Sequence, residues 1–116
     1  MYLNGEFYAL VYQSNTKEKE SVLANLDAQI LYDYVLQPIL GIEDLRNDER
    51  ISYLSGKQSI ASIMEKVDSG NFKVGFMLYP SNINEIKAIA DADLIMPPKS
   101  TYIEPKFRSG LVVYEL

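Results

Sequence analysis

The chain has 116 residues, of which 47% are hydrophobic and 23% are charged, with a formal net charge of −5. This length and composition are typical of one folded domain, so we expect a single domain over residues 1–116 and exclude disorder as its main state. The sequence has no cysteine and no histidine, which excludes disulfides, thiolate nucleophiles, catalytic triads and histidine-ligated metals. Composition therefore indicates no catalytic residue, no metal site and no cofactor.

Composition also bears on location and partners. No apolar run approaches the roughly 20 residues that span a bilayer, and the first residues lack the basic and apolar regions of a secretory leader. These observations predict a cytoplasmic protein without a membrane partner. Because basic faces bind the phosphate backbone, the acidic net charge also argues against nucleic acid as a partner.

The first half of the chain alternates between strand and helix patterns. Residues 6–12 are aromatic or apolar at nearly every position, which predicts a central strand covered on both faces. Residues 27–37 have helical spacing, with Asp27 as the predicted cap and Pro38 as the residue that ends the helix. Residues 51–54 form the next predicted strand.

A helix and a strand follow in the second half. Ser55 and Gln58 have the spacing of a capping box ahead of this helix. Residues 72–78 then alternate as a strand. The helix itself is predicted from apolar residues at helical spacing, which are Ile60, Ile63, Met64 and Val67.

The chain ends with one more helix and two extended segments. Asn82 and Glu85 repeat the capping-box spacing, and an amphipathic helix follows them. Residues 101–103 and 111–114 are predicted strands, so that the element order is β-α-β-α-β-α-β-β. This alternation predicts an α+β (mixed α/β) fold with helices packed on a mixed sheet.

Residues 96–110 depart from this pattern of core positions and helix caps. The segment contains three prolines and three cations, and it lacks the glycine-rich stretch of a P-loop. Prolines restrict the backbone, while ammonium, guanidinium and hydroxyl groups donate hydrogen bonds to phosphate or carboxylate. Solvated surface charge is the alternative interpretation. The candidate anion-binding residues are Lys99, Ser100, Thr101, Lys106 and Arg108.

A second cluster is acidic and lies in the loop between the first helix and the second predicted strand. It consists of Glu43, Asp44, Asp48 and Glu49. Carboxylates bind divalent cations, but these four lack the spacing of a calcium loop. We therefore interpret the cluster as a solvated acidic loop.

The proline-rich segment resembles the C-terminal signature of a bacterial family, the domain-of-unknown-function family numbered 1015. The block at residues 96–102 carries the most specific part of the resemblance, and residues 104–106 and 108–111 continue it. The likeness extends over nearly the whole chain. The supporting segments are residues 1–8 with a short turn and an aromatic strand, 26–42 with a helix and a Pro-Ile-Leu-Gly-Ile turn, 50–53, and 67–70.

The resemblance implies that this chain is similar to the C-terminal part of a longer protein. It places Met1 where members of the family run on from a preceding domain. The family's candidate catalytic motif resembles Asp-Gly-His-His-Arg and is akin to that of ParB-like nucleotide-using proteins and free-serine kinases. This motif would lie in the preceding part, since the present chain has no histidine.

Three functional hypotheses follow. In the first, the chain is a non-catalytic C-terminal domain that packs on its missing N-terminal domain, which predicts an exposed apolar patch and a homodimer when that domain is absent. In the second, the five candidate residues hold phosphate oxygens for a phosphotransferase-like enzyme that uses a nucleotide or phosphometabolite. ATP or ADP with magnesium would then be bound by the full-length protein, and the isolated chain would be inactive. The third is a stand-alone binding protein.

Overall fold

A computed structural model describes residues 1–13 and 21–101 of the chain. Within these residues the fold is α+β: three strands form one antiparallel sheet, and three α-helices accompany it. A short 3-10 turn precedes the first helix, and a π-helical turn continues it. The elements are β1 (Tyr2–Leu3), β2 (Glu6–Phe7), the 3-10 turn (Leu23–Asn25), α1 (Asp27–Leu31), the π-helical turn (Tyr32–Leu36), α2 (Ile60–Asp68), β3 (Val74–Gly75) and α3 (Ile83–Asp91).

The first two strands form a tight hairpin. Its loop is Asn4-Gly5, with φ angles of 50° and 81°, and a two-residue hairpin loop of type I′ requires positive φ at both positions. Tyr2 pairs with Phe7, and the ladder continues to Met1 and Tyr8. The Tyr8 amide donates to the Met1 carbonyl at 2.8 Å, and the N-terminal ammonium donates to the Tyr8 carbonyl at 2.8 Å.

The hairpin packs on α2 through β3. The strand order is β2-β1-β3, and Tyr2 in the central strand pairs with Gly75 of β3. Gly75 permits close contact with the helix, because a Cβ at this position would lie 2.3 Å from Cγ2 of Ile63. Tyr2 is only 2% exposed, and its hydroxyl donates to the Asp68 carboxylate at 2.8 and 3.0 Å. The sheet and α2 therefore form one packed unit.

The turn after α1 is closed by an arginine. Gly41 has a φ of 63° and donates its amide to the Gln37 carbonyl at 3.1 Å, which is the left-handed ending of a helix. The Arg50 guanidinium donates to the carbonyls of Leu40 at 3.1 Å and Gly41 at 2.8 Å. It also forms an ion pair with Asp48 at 2.6 Å. Arg50 thus joins the end of the first helical segment to the acidic loop.

The core of the described part is small. Its buried hydrophobic residues are Tyr2, Leu26, Ile42 and Ile89, while fifteen large hydrophobic side chains are exposed. The radius of gyration of the Cα atoms is 16.8 Å, whereas a compact domain of this length has about 13 Å. Much of the apolar surface that the sequence offers is therefore not covered by the chain itself.

Two of the predicted helices are confirmed, with one of their caps. The helices α2 and α3 lie where the periodicity predicts them, and Asn82 and Glu85 form the capping box of α3, with bonds of 3.0 and 2.9 Å. Asp27 is not the cap of α1 but its first helical residue, since the preceding residue already has the extended backbone of a cap. The capping box at Ser55 is also wrong, because α2 begins only at Ile60.

The predicted strands are mostly wrong. The strand at 6–12 is reduced to Glu6–Phe7 and is exposed rather than covered, and the strand at 72–78 is reduced to Val74–Gly75. Residues 51–54 form no strand. A strand needs a partner for its backbone groups, and β1 offers only two or three residues to each neighbour. Of the last two predicted strands, residues 102–103 and 111–114 lie outside the described residues, and Thr101 is not in a strand.

Candidate functional site

The candidate anion-binding segment begins with a tight turn over Pro97–Ser100. The Ser100 amide donates to the Pro97 carbonyl at 3.3 Å, and the Ser100 hydroxyl donates to the same carbonyl at 2.6 Å. Lys99 is exposed and has a φ of 58°, the conformation that a type II turn requires at its third position. The turn therefore holds the Lys99 backbone in place.

The structure places three of the five candidate anion-binding residues. Lys99 and Thr101 are exposed and adjacent to each other along the chain, on either side of Ser100. The proton of the Ser100 hydroxyl is engaged by the Pro97 carbonyl, so this group does not point a donor at solvent. Lys106 and Arg108 lie outside the described residues. The described part of the segment thus presents one cation and one exposed hydroxyl, which is a sparse set for a phosphate group.

The acidic loop is organised by hydrogen bonds of its own. Asp44 accepts from the Asn47 side-chain amide at 2.7 Å and from the Arg46 backbone amide at 2.8 Å, and these bonds lower the pKa of Asp44. Hydrogen bonds from Arg50 likewise lower the pKa of Asp48. Over residues 1–13 and 21–101, no group of acidic side chains is arranged to hold a metal ion. The carboxylates of this loop thus close the turn itself.

The largest departure from an ordinary domain surface is apolar. Exposed large side chains follow the hairpin directly, where Phe7, Tyr8, Leu10, Val11 and Tyr12 occur within six residues. A monomeric domain seldom exposes such a contiguous apolar stretch unless it contacts a partner. We refer to residues 7–12 as the first apolar segment. Val11 within it is 77% exposed.

A second apolar segment follows β3 in the same way. It comprises residues 76–79, in which Leu78 is exposed and Tyr79 is 86% exposed. Because β2 and β3 both run antiparallel to β1, they run parallel to each other. The two apolar segments therefore leave the sheet in the same direction, one on each side of β1.

Part of the first apolar segment contacts the helical region. The rings of Tyr12 and Tyr34 have centroids 4.8 Å apart, and their hydroxyl oxygens are 2.9 Å apart. The hydrogen bond between them raises the pKa of Tyr34. This contact anchors the end of the segment and leaves Leu10 and Val11, in its middle, exposed.

Sequence reasoning missed the hairpin that positions these segments. Asn-Gly between two apolar pairs is the strongest short-range signal for a two-residue hairpin, and it is present at Asn4-Gly5. The hydrogen bond from Tyr2 to Asp68 joins residues 66 positions apart, and no local pattern encodes it.

The described residues contain no helix with the length and apolar composition needed to cross a bilayer. Comparisons with protein families, with curated proteins and with solved structures find no match for this chain. The functional argument therefore depends on the residues and their geometry.

Proposed function

We propose that the chain is a non-catalytic docking domain of a longer cytosolic bacterial protein, in which it packs against another part of that protein. The single observation that carries this proposal is the imbalance between covered and exposed apolar side chains. Four hydrophobic residues are buried in the described part, whereas fifteen large ones are exposed. At about 25 cal/mol for each Å² of apolar surface removed from water, covering such side chains would stabilise an interface strongly.

The two apolar segments are the part of the surface that best suits docking. They are contiguous in sequence and free of charged residues from Phe7 to Gln13 and from Phe76 to Ser81. Charged residues are depleted at the centres of protein interfaces, while tyrosine and phenylalanine are enriched there. The resemblance to the family numbered 1015 supports the same proposal, since it makes this chain similar to the C-terminal part of a longer protein.

A pair of variants tests the proposal. Val11→Asp and Tyr79→Asp place a carboxylate on each apolar segment at sites that are exposed in the isolated chain. We expect each to change the free energy of unfolding of the isolated chain by less than about 0.5 kcal/mol. In the longer protein, the same variants should separate the domain from its neighbour and open the junction to limited proteolysis.

Two results would contradict docking at this surface. If either variant unfolds the isolated chain, the segments belong to its own core. If the longer protein keeps the wild-type proteolysis pattern, the segments do not contact a neighbouring domain. Ser52→Asp, at an exposed polar position away from both segments, serves as the matched control and should leave both forms unchanged.

The second candidate function is that the segment at 96–110 contributes phosphate-binding residues to a nucleotide- or phosphometabolite-dependent enzyme. The exposed Lys99 in its fixed turn is the observation that favours it. An amide NMR titration with magnesium–ATP, ADP and phosphate tests it, with saturable shifts expected at Lys99, Ser100 and Thr101. If no shift occurs at millimolar ligand with the longer protein, the segment does not bind phosphate.

A further inference from the structure

The centre of the sheet ends before its two neighbours do. The central strand β1 is paired from Met1 onward, and Met1 lies opposite Tyr8. Beyond this pair the chain of β2 continues through residues 9–13, and the chain of β3 continues through residues 76–80. Within the described residues, no strand pairs in the sheet with residues 9–11 or 76–79. A position in line with β1 is thus flanked by chain on both sides.

The register specifies which backbone groups would face this position. Met1 and Tyr8 exchange both of their hydrogen bonds, and in an antiparallel ladder such pairs recur at every second residue. Continuing the first apolar segment as a strand would therefore turn the N–H and C=O of Leu10 inward. Ala9 and Val11 would turn theirs outward.

The same reasoning applies on the other side of β1. Since the backbone groups of Met1 face β2, those of Tyr2 face β3, where Gly75 is the paired residue. Continuation of the second apolar segment would turn the N–H groups of Met77 and Tyr79 inward. The amide of Leu78 would then face outward.

The chemistry of both flanks selects an apolar peptide. Residues 9–13 and 76–80 have no charged side chain, and Val11 and Tyr79 are among the most exposed apolar residues of the chain. A charged segment placed between them would be desolvated without a partner charge. An uncharged, extended segment would instead satisfy backbone groups on both sides and cover the apolar side chains.

We infer that the position between the two apolar segments receives an extended, uncharged strand, which enters in line with β1 and is supplied by the rest of the longer protein. The inference rests on the proposed function and names the element that docks. The existing bonds permit it: the nitrogen of Met1 already donates to the Tyr8 carbonyl, and a peptide N–H at this atom would make the same bond. Strand addition of this kind would extend the sheet without rearranging the hairpin.

The test fuses a short strand in front of Met1 of the full chain. The probe is Val-Thr-Val-Thr-Val, whose β-branched residues favour a strand, and the control is Gly-Ser-Gly-Ser-Gly. Amide hydrogen exchange is then followed by NMR. We expect the probe to slow exchange at Leu10, Met77 and Tyr79 at least tenfold relative to the control. Exchange at Ala9, Val11 and Leu78 should stay within twofold.

Three results would overturn the inference. The first is no slowing at Leu10, Met77 and Tyr79, and the second is equal slowing at the outward-facing amides. The third is strong protection of the three inward-facing amides in the unextended chain, since a second copy or another part of the chain would then already occupy the position. If this third result depends on protein concentration, the occupant is a second copy.

This experiment and the test of the proposed function fail separately. The fused strand probes the geometry of the sheet and requires no longer protein. The charge variants probe whether the apolar segments are covered in the longer protein, by whatever element. A protected probe strand together with charge variants that have no effect would retain the strand-accepting geometry and reject the docking function.

Discussion

Residues 1–8 and residues 9–12 belong to one apolar stretch of the sequence, but only the first group is paired along its length with another strand. Tyr2 and Phe7 are covered or stacked, with ring centroids 4.8 Å apart, while Val11 is left 77% exposed. Composition does not distinguish the two groups, since both are aromatic and aliphatic. The difference is the presence of a partner: residues 1–8 have a hairpin, β3 and α2, whereas the residues that follow have only the contact of Tyr12 with Tyr34. Apolarity therefore predicts where burial is favourable, and pairing decides whether it occurs.

The same contrast appears between two isoleucines and should give the largest effect. Ile89 of α3 is 1% exposed, and Ile95 just beyond this helix is 76% exposed. We expect Ile89→Ala to lower the free energy of unfolding by about 2–5 kcal/mol, because it removes buried methyl groups and leaves a cavity. Ile95→Ala should change it by less than about 0.5 kcal/mol. Urea denaturation of both variants measures this difference, and equal effects would show that the isolated chain also covers Ile95.

Two glycines sharpen the comparison at the sheet. A methyl group at Gly75 would overlap Ile63, whereas a Cβ at Gly56 meets nothing within 4 Å. Gly75→Ala should cost about 1–3 kcal/mol through overpacking between β3 and α2. Gly56→Ala should be neutral or slightly stabilising, because it lowers the entropy of the unfolded chain. If thermal denaturation shows the two variants to be equally stable, β3 does not approach α2 as closely as described.

A smaller effect is expected at two tyrosines of the hairpin. The Tyr2 hydroxyl bonds to Asp68 across the fold, and the Tyr8 hydroxyl bonds to Glu6 two residues away at 2.7 Å. Tyr2→Phe should lower Tm by a few degrees, more than Tyr8→Phe does, because only Tyr2 joins the hairpin to α2.

Alkaline pH provides a second measurement on Tyr2. The hydrogen bond to Asp68, together with burial, raises the pKa of Tyr2. The contribution of this bond is therefore full below about pH 10, the ordinary pKa of tyrosine, and it is lost as pH rises through the raised pKa of the folded protein. The Tm difference between wild type and Tyr2→Phe should shrink above this range. A difference that grows with pH would contradict the hydrogen bond.

The smallest effect is expected in the acidic loop. Hydrogen bonds from Arg50 lower the pKa of Asp48, so their contribution to stability is present above about pH 4 and is lost as pH falls through the lowered pKa. The urea midpoints of wild type and Asp48→Asn should differ at pH 6 and converge toward pH 2. Glu49→Gln, at an exposed neighbouring position, should show no such convergence. Parallel curves for Asp48→Asn would contradict the arginine bridge.

Sequence reasoning predicts the elements whose stabilising contacts are local. The periodic apolar residues of α2 and the Asn82–Glu85 capping box of α3 occur within a few positions of each other, and both predictions are confirmed. The hairpin at Asn4-Gly5 was equally predictable from its loop, although the analysis of strand periodicity overlooked it.

Strand length and burial were less predictable because they depend on distant partners. Residues 6–12 have the composition of a buried central strand, but β1 ends at the residue opposite Tyr8. Residues 51–54 have the composition of a strand as well, yet the sheet of the described residues does not include them. For the candidate site, the sequence identified Lys99 as a cation in a constrained segment. It could not show that the Ser100 hydroxyl is engaged by the Pro97 carbonyl.

The most direct test of the central claim compares two amides of the isolated chain. Gly75 pairs with Tyr2 in the sheet, and Tyr79, four residues later, lies in the exposed second apolar segment. Native-state hydrogen exchange by NMR should show a protected amide at Gly75 and an amide at Tyr79 that exchanges close to the rate of an unstructured peptide. Equal protection of the two amides would contradict the account, because the isolated chain would then already cover the surface assigned to docking.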